Sequence, residues 1–145
     1  MANRFENKVA VITGGGSGIG KAAARQLVAE GARVVINGRT ASKLQSAAQE
    51  IDSSGDRVAI YAGDIGSVAT AQGLIAFAVE KFGTVNILLN NAGIFAPKPF
   101  LEHTEADYEQ FVDIILKGKF FTAQAAAQVM KANRGGVIVQ TGSMW

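Results

Sequence analysis

The run Val9-Ala10-Val11-Ile12 leads straight into Thr13-Gly14-Gly15-Gly16-Ser17-Gly18-Ile19-Gly20, and no other stretch narrows the possible folds as far. A short apolar run bounded by glycines reads as a strand buried on both faces, as strands of parallel sheets are. Glycine loses more backbone freedom on folding than any other residue. A cluster of glycines at a strand-to-helix joint is therefore poorly explained as a bare tight turn, and points to a ligand.

The rest of the chain repeats the same alternation. From Gly18 to Glu30 the apolar positions Ile19, Ala23, Leu27 and Val28 recur at helical spacing, and Gly31 supplies a stop. Arg33–Ile36 reads as a second strand. Thr40 is placed to cap a helix running to about Ser53, with Leu44, Ala47, Ala48 and Ile51 on one face. Val58–Tyr61 is a third strand, Ser67–Phe82 a third helix and Val85–Leu89 a fourth strand. After a loop with two prolines come a long helix, about Glu105 to Lys131, and a fifth strand, Val137–Gln140. Strands alternating with helices specify an α/β fold, a doubly wound parallel sheet of the Rossmann type with right-handed crossovers. The glycine cluster then marks the nucleotide end, because such sheets bind ligands at the carboxyl ends of their strands.

Composition removes other classes. A chain of 145 residues is expected to form one domain, residues 1–145, and 48% hydrophobic against 18% charged content fits a buried core. The net charge is only +2 and the basic residues are scattered, so no nucleic-acid partner is expected. There is no cysteine and a single histidine, His103, which lies in a polar stretch and reads as solvated. Thiolate metal sites and histidine triads are thereby excluded, and no metal is expected. The N-terminal stretch lacks the apolar core of a signal peptide and no run is long enough for a membrane span, so a cytoplasmic location is expected.

Two nucleotide loops compete. Gly15, Gly20 and Lys21 fit most of a P-loop, but Ala22 stands where magnesium needs a hydroxyl, and strand four ends in Asn90-Asn91 rather than an acid. The strict G-x-G-x-x-G spacing of dinucleotide folds is also absent. What is present is T-G-x-x-x-G-x-G, on Thr13, Gly14, Gly18 and Gly20. Asp64-Ile65 follows strand three, Asn90-Asn91-Ala92-Gly93 follows strand four, and Ser143 follows strand five. With these features in this order the chain resembles the short-chain dehydrogenase/reductase family. The resemblance implies an NAD(P)-dependent oxidoreductase that interconverts an alcohol and a carbonyl by hydride transfer. It implies cofactor contacts at Gly14, Ser17, Gly18, Ile19, Gly20, Asp64, Ile65, Asn90, Ala92 and Gly93, and a catalytic role for Ser143. It also implies a homodimer or homotetramer packed through the long helix, whose Ala123, Ala125, Ala126 and Ala127 permit close approach.

Two departures from that family stand out. A tyrosine with a lysine four residues on carries its acid/base step, because a free tyrosine titrates near about 10 and needs a fixed cation to work at neutral pH. Here Tyr61 is followed at that spacing by Ile65, and Tyr108 by Val112. The chain is therefore expected to be an N-terminal portion of such a protein. As it stands it is expected to bind a dinucleotide without catalysis. Ile115 also occupies the place of an asparagine that, in the family, holds a relay water.

Cofactor choice is read at the end of strand two. An acid there suits the ribose 2′-hydroxyl of NAD, but the sequence is Asn37-Gly38-Arg39, with Gly38 at the acid's place. Arg39 suits a 2′-phosphate. NADP(H) is favoured and NAD(H) is the alternative, since an arginine can also stack on adenine without touching a phosphate.

Overall fold

Strand β1 (Val9–Thr13) is buried along its whole length, because it is flanked by strands on both edges and covered by helices on both faces. The computed structural model describes residues 3–143; Met1, Ala2, Met144 and Trp145 lie outside them. With β2 (Arg33–Gly38), β3 (Val58–Ala62), β4 (Ile87–Asn90) and β5 (Val137–Gln140), β1 forms a parallel sheet in the order β3-β2-β1-β4-β5. The chain winds outward from β1 to β3, then returns to β1's other edge to lay down β4 and β5. That reversal, between β1 and β4, is the switch point at which such sheets open a crevice.

Alternation along the strands feeds two cores. Ala10, Ile12, Val34, Ile36 and Val58 face one way and pack with Ala24 of α1 (Gly18–Ala29) and with Leu44 and Ala47 of α2 (Ala41–Ile51). Val11, Val35, Ala59 and Leu88 face the other way. They meet Ala71, Leu74, Ile75 and Ala78 of α3 (Val68–Phe82) and Ala126 and Met130 of α5 (Gly118–Ala132).

The elements follow the sequence pattern with instructive shifts. The fourth strand is registered two residues later than its apolar run suggests. Val85 is fully buried, but the side chain of Asn86 accepts from the Val9 amide at 2.8 Å and its own amide donates to the Val9 carbonyl at 2.9 Å. In α1, Ile19 does not join the buried stripe. It is 71% exposed, and the helix buries Gly20 and Ala24 instead. Thr40 stands at the N-cap of α2, yet its side chain makes no capping bond. Gly31 ends α1 with φ +99, and the Ala32 amide reaches back to the Leu27 carbonyl at 3.0 Å.

The long helix is interrupted. It begins as α4 (Glu105–Phe111), widens into a π turn over Val112–Lys117 and resumes as α5. The π turn contains Ile115, the residue at which the sequence departs from its resembled pattern. Of the alanines in α5, Ala126 is buried against the sheet, Ala123 and Ala125 are half-buried and Ala127 is exposed, while Leu116 and Phe120 present large apolar side chains to solvent. Among the described residues β5 ends the sheet, with Val137 and Val139 exposed, and no helix is long and apolar enough to cross a membrane.

Candidate functional site

The carboxyl ends of β1 to β4 converge on a cleft of about 210 Å³. Its base is built around Thr13. This residue is fully buried, and its hydroxyl accepts from the amides of Asn91 (3.0 Å) and Ala92 (2.9 Å). One side chain therefore fixes the loop after β4 against the loop after β1. Next to it, Gly14 has φ +66, and a Cβ there would lie 3.1 Å from the Ala92 Cα. Gly20 admits no side chain either, since a Cβ would fall 2.2 Å from the Gly14 carbonyl oxygen. The first turn of α1 thus lies directly on the loop, a closeness that only glycine allows.

The second wall is tied in a similar way. Asn37 is buried at the end of β2, and its amide group donates to the carbonyls of Tyr61 (2.9 Å) and Gly63 (3.2 Å), joining the ends of β2 and β3. The Gly15 amide donates to the Asn37 carbonyl at 3.0 Å, which braces the glycine loop against β2. Gly15 is buried, and a Cβ there would overlap Ile36 at 2.7 Å. This glycine serves packing rather than ligand approach.

Of the residues singled out from the sequence, Gly14, Ser17, Arg39, Asp64, Ile65, Ala92 and Gly93 line the cleft together. Gly18 and Gly93 have nothing within 4 Å of a notional Cβ, so backbone is open to an incoming group at both. Asp64 also accepts from the Gly66 amide at 2.9 Å, which shapes its own turn. Four expected contacts, Gly18 at the start of α1 among them, are not on the wall. Gly20 lies behind it, packed on Gly14. Ile19 projects into solvent. Asn90 is fully buried, and its amide donates to the Lys119 carbonyl at 2.8 Å, so it holds α5 to β4 from beneath. Ser143 is exposed, three residues past the end of β5, at the same carboxyl edge but outside the cleft wall.

The helix starts around the cleft share one property. Helices α1, α2 and α3 have the hydroxyl residues Ser17, Thr40 and Ser67 at their N-caps, and none of the three side chains makes a capping bond. Helix α4, separated from the end of β4 by a long loop and a 3-10 turn, carries a complete capping box between Thr104 and Asp107. The first-turn amides of α1 thus have no side-chain cap, at the positive end of a helix dipole where an anion is favoured. Lys21, the P-loop-like lysine, is paired with Glu50 on α2.

Two cations with clear positions were not legible beforehand. Lys43, one turn into α2, lines the cleft with Arg39. Its spacing of four from Arg39 was the available signal. Lys119 lies partly buried near the end of β5, and burial pushes its ammonium below the usual lysine pKa. Tyr61 packs against Phe77 with ring centroids 5.4 Å apart and the rings tilted by 42°, Tyr108 is exposed on α4, and His103 is exposed with its Nε2 3.1 Å from the Lys98 carbonyl.

Known proteins share this fold. Residues 8–145 match the short chain dehydrogenase family. The chain is 37% identical over 139 residues to a (2S)-[(R)-hydroxy(phenyl)methyl]succinyl-CoA dehydrogenase subunit of Thauera aromatica, covering 96% of this chain and 56% of that protein. It is 39% identical over 145 residues to the L-rhamnose 1-dehydrogenase (NAD(P)(+)) of Azotobacter vinelandii, covering 95% and 56%. The crystal structure of an NAD+-bound xylitol dehydrogenase superimposes with a TM-score of 0.90 at 30% identity, over 97% of this chain and 55% of that one. The chain spans little more than half the length of the curated relatives it matches.

Proposed function

The chain belongs to the short chain dehydrogenase family, and from that premise we propose that it is the dinucleotide-binding part of an NAD(P)-dependent oxidoreductase acting on a small alcohol or carbonyl. The observation that carries this reading is the switch-point cleft. Open backbone at Gly93 and the N-cap residues Ser17 and Thr40, neither of whose side chains makes a capping bond, line a space bounded by four strand ends, and the open backbone of Gly18 adjoins Ser17 at the start of α1. A dinucleotide fits such a site, because its pyrophosphate needs backbone amides and its two nucleosides need walls on either side.

In this reading the loop from Gly14 to Gly20 and the start of α1 take the pyrophosphate. Arg39 and Lys43 meet the adenosine ribose, Asp64 and Ile65 the adenine, and Ala92 and Gly93 the nicotinamide side. Asn90 acts from behind as a brace. The bound nicotinamide supplies a hydride donor or acceptor, and Ser143 orients the substrate oxygen. The absence of a carboxylate at Gly38, with two cations nearby, favours NADP(H). Relatives named for NAD(P)(+) and crystallised with NAD+ keep NAD(H) as the alternative. The exposed Leu116 and Phe120 support association into a homodimer or homotetramer through the long helix.

The 145 residues contain no tyrosine with a lysine four places on. The chain by itself is therefore expected to bind the dinucleotide without turnover. Titration of the purified chain with NADPH, NADH and Mg-ATP tests the assignment. Saturable NADPH or NADH binding without metal is expected. Magnesium-dependent ATP binding with neither dinucleotide bound would overturn it in favour of a P-loop protein. Hydride transfer by contaminant-free chain would overturn the non-catalytic reading.

A further inference from the structure

Lys119 has no part in the dinucleotide cleft, yet it is held at both ends. Its backbone is fixed by Asn90, whose side-chain amide donates to the Lys119 carbonyl at 2.8 Å. The turn before it is fixed by Gly118, where a Cβ would fall 2.5 Å from the Ile65 carbonyl oxygen. Helix α5 therefore enters at a set position beneath the ends of β3 and β4. From there the Lys119 ammonium donates to the Thr141 carbonyl. The Thr141 amide makes the last sheet hydrogen bond of the fifth strand's run, to the Asn90 carbonyl at 3.2 Å. Beyond Thr141 come Gly142, which has nothing within 4 Å of a notional Cβ, and then Ser143.

We infer that Lys119 is a positioning residue, whose ammonium locks the Thr141 carbonyl and so sets the direction in which the chain presents Ser143. The inference rests on the reading of Ser143 as the substrate-orienting serine. The physical need is local. Past Thr141 the backbone leaves the sheet and passes through a glycine with free space around it, so the sheet alone does not fix its course. A charge-assisted hydrogen bond to the last sheet-bonded residue supplies a constraint at the point where the chain leaves the sheet. The arrangement is asymmetric in cost. Lys119 is partly desolvated, and its partner among the described residues is a carbonyl oxygen rather than a carboxylate. A partly desolvated cation whose partner among the described residues is a carbonyl is not a typical stability device, and such groups concentrate at functional sites.

The test is nuclear magnetic resonance on the 145-residue chain, comparing wild type with Lys119→Met and Lys119→Arg. Met keeps the aliphatic stem and removes the donor; Arg restores a donor. In the wild type, backbone order parameters at Gly142 and Ser143 are expected to stay near the rigid value of about 0.85, and in Lys119→Met to fall below about 0.6. The Thr141 carbonyl shift is expected to move in Met and return in Arg, with α5 amides unchanged in all three. Unchanged order at Ser143 in Lys119→Met overturns the inference. If that variant does not fold, nitrogen relaxation of the wild-type Lys119 ammonium decides: mobility equal to that of exposed Lys43 overturns it, and restriction supports it. None of these readouts needs a cofactor. Failure of dinucleotide binding would remove the proposed function and leave the positioning result standing.

Discussion

Replacing Arg39 with Ala separates the two dinucleotides. Arg39 follows β2 and lines the cleft, is exposed, and shares that end with Lys43. Charge-assisted hydrogen bonds contribute about 1.5–3 kcal/mol, which corresponds to roughly 10- to 100-fold in affinity for a 2′-phosphate. Because Arg39 is exposed and Lys43 remains, the single variant is expected at the lower end, about 10-fold weaker for NADPH and nearly unchanged for NADH. The Arg39→Ala/Lys43→Ala double variant is expected to approach the upper end. Calorimetric or fluorescence titration of both cofactors at fixed ionic strength reads this directly, since salt screens exposed charges over about 8–10 Å. Gly38→Asp is expected to shift preference toward NADH by adding an acceptor and a repulsive charge together. Its Cβ would lie 3.2 Å from a Leu44 methyl, so Leu44 must move by tenths of an ångström, and a melt of the variant should accompany the titration. Equal losses of NADPH and NADH in Arg39→Ala would refute the reasoning. The guanidinium would then be stacking on adenine, and the NADP(H) assignment would fall.

Other residues make sharper demands on folding. Thr13→Val leaves the Ala92 amide without its acceptor, while the Asn91 amide keeps the Leu89 carbonyl at 3.1 Å, and is expected to lower stability by about 1–3 kcal/mol, as measured by denaturant unfolding. Gly20→Ala drives a methyl into the Gly14 carbonyl. It is expected to cost about 1–3 kcal/mol or more in overpacking and to abolish dinucleotide binding by displacing the loop. The Glu30 carboxyl is held at about 2, below its ordinary 4.5, first by a hydrogen bond from Arg4 and next by one from Gln26. Its folded pKa is the lower one, so its contribution is complete above about 4.5 and is lost as pH falls toward 2. Melting temperatures followed through that window should show a shallower acid loss in Arg4→Ala than in wild type; identical pH profiles would exclude the role.

The order of elements, the parallel sheet and the position of the glycine loop were legible in the sequence, because each rests on local rules. A buried β-branched run, a helical period of apolar residues and a glycine cluster at their joint each state their own conformation. Gly14 and Gly20 could be singled out because only glycine meets their steric demands. Tertiary structure decided what spacing cannot encode. Asn90 turns its side chain away from the cleft because α5, separated from it by a loop, α4 and the π turn, offers the Lys119 carbonyl at 2.8 Å. Ile19 lies on the apolar period of α1 yet faces solvent, because the closest helix–loop contact passes through Gly20. Strand β4 begins at Ile87 rather than Val85, because its register is set by Asn86 pairing with Val9, 77 residues earlier. Lys43 and Lys119 gain their positions only when α2 and α5 dock on the sheet. Local sequence fixes which backbone can bend and where helices begin, whereas the partner of a buried amide or a lysine depends on which distant carbonyl or side chain the packed sheet brings within reach.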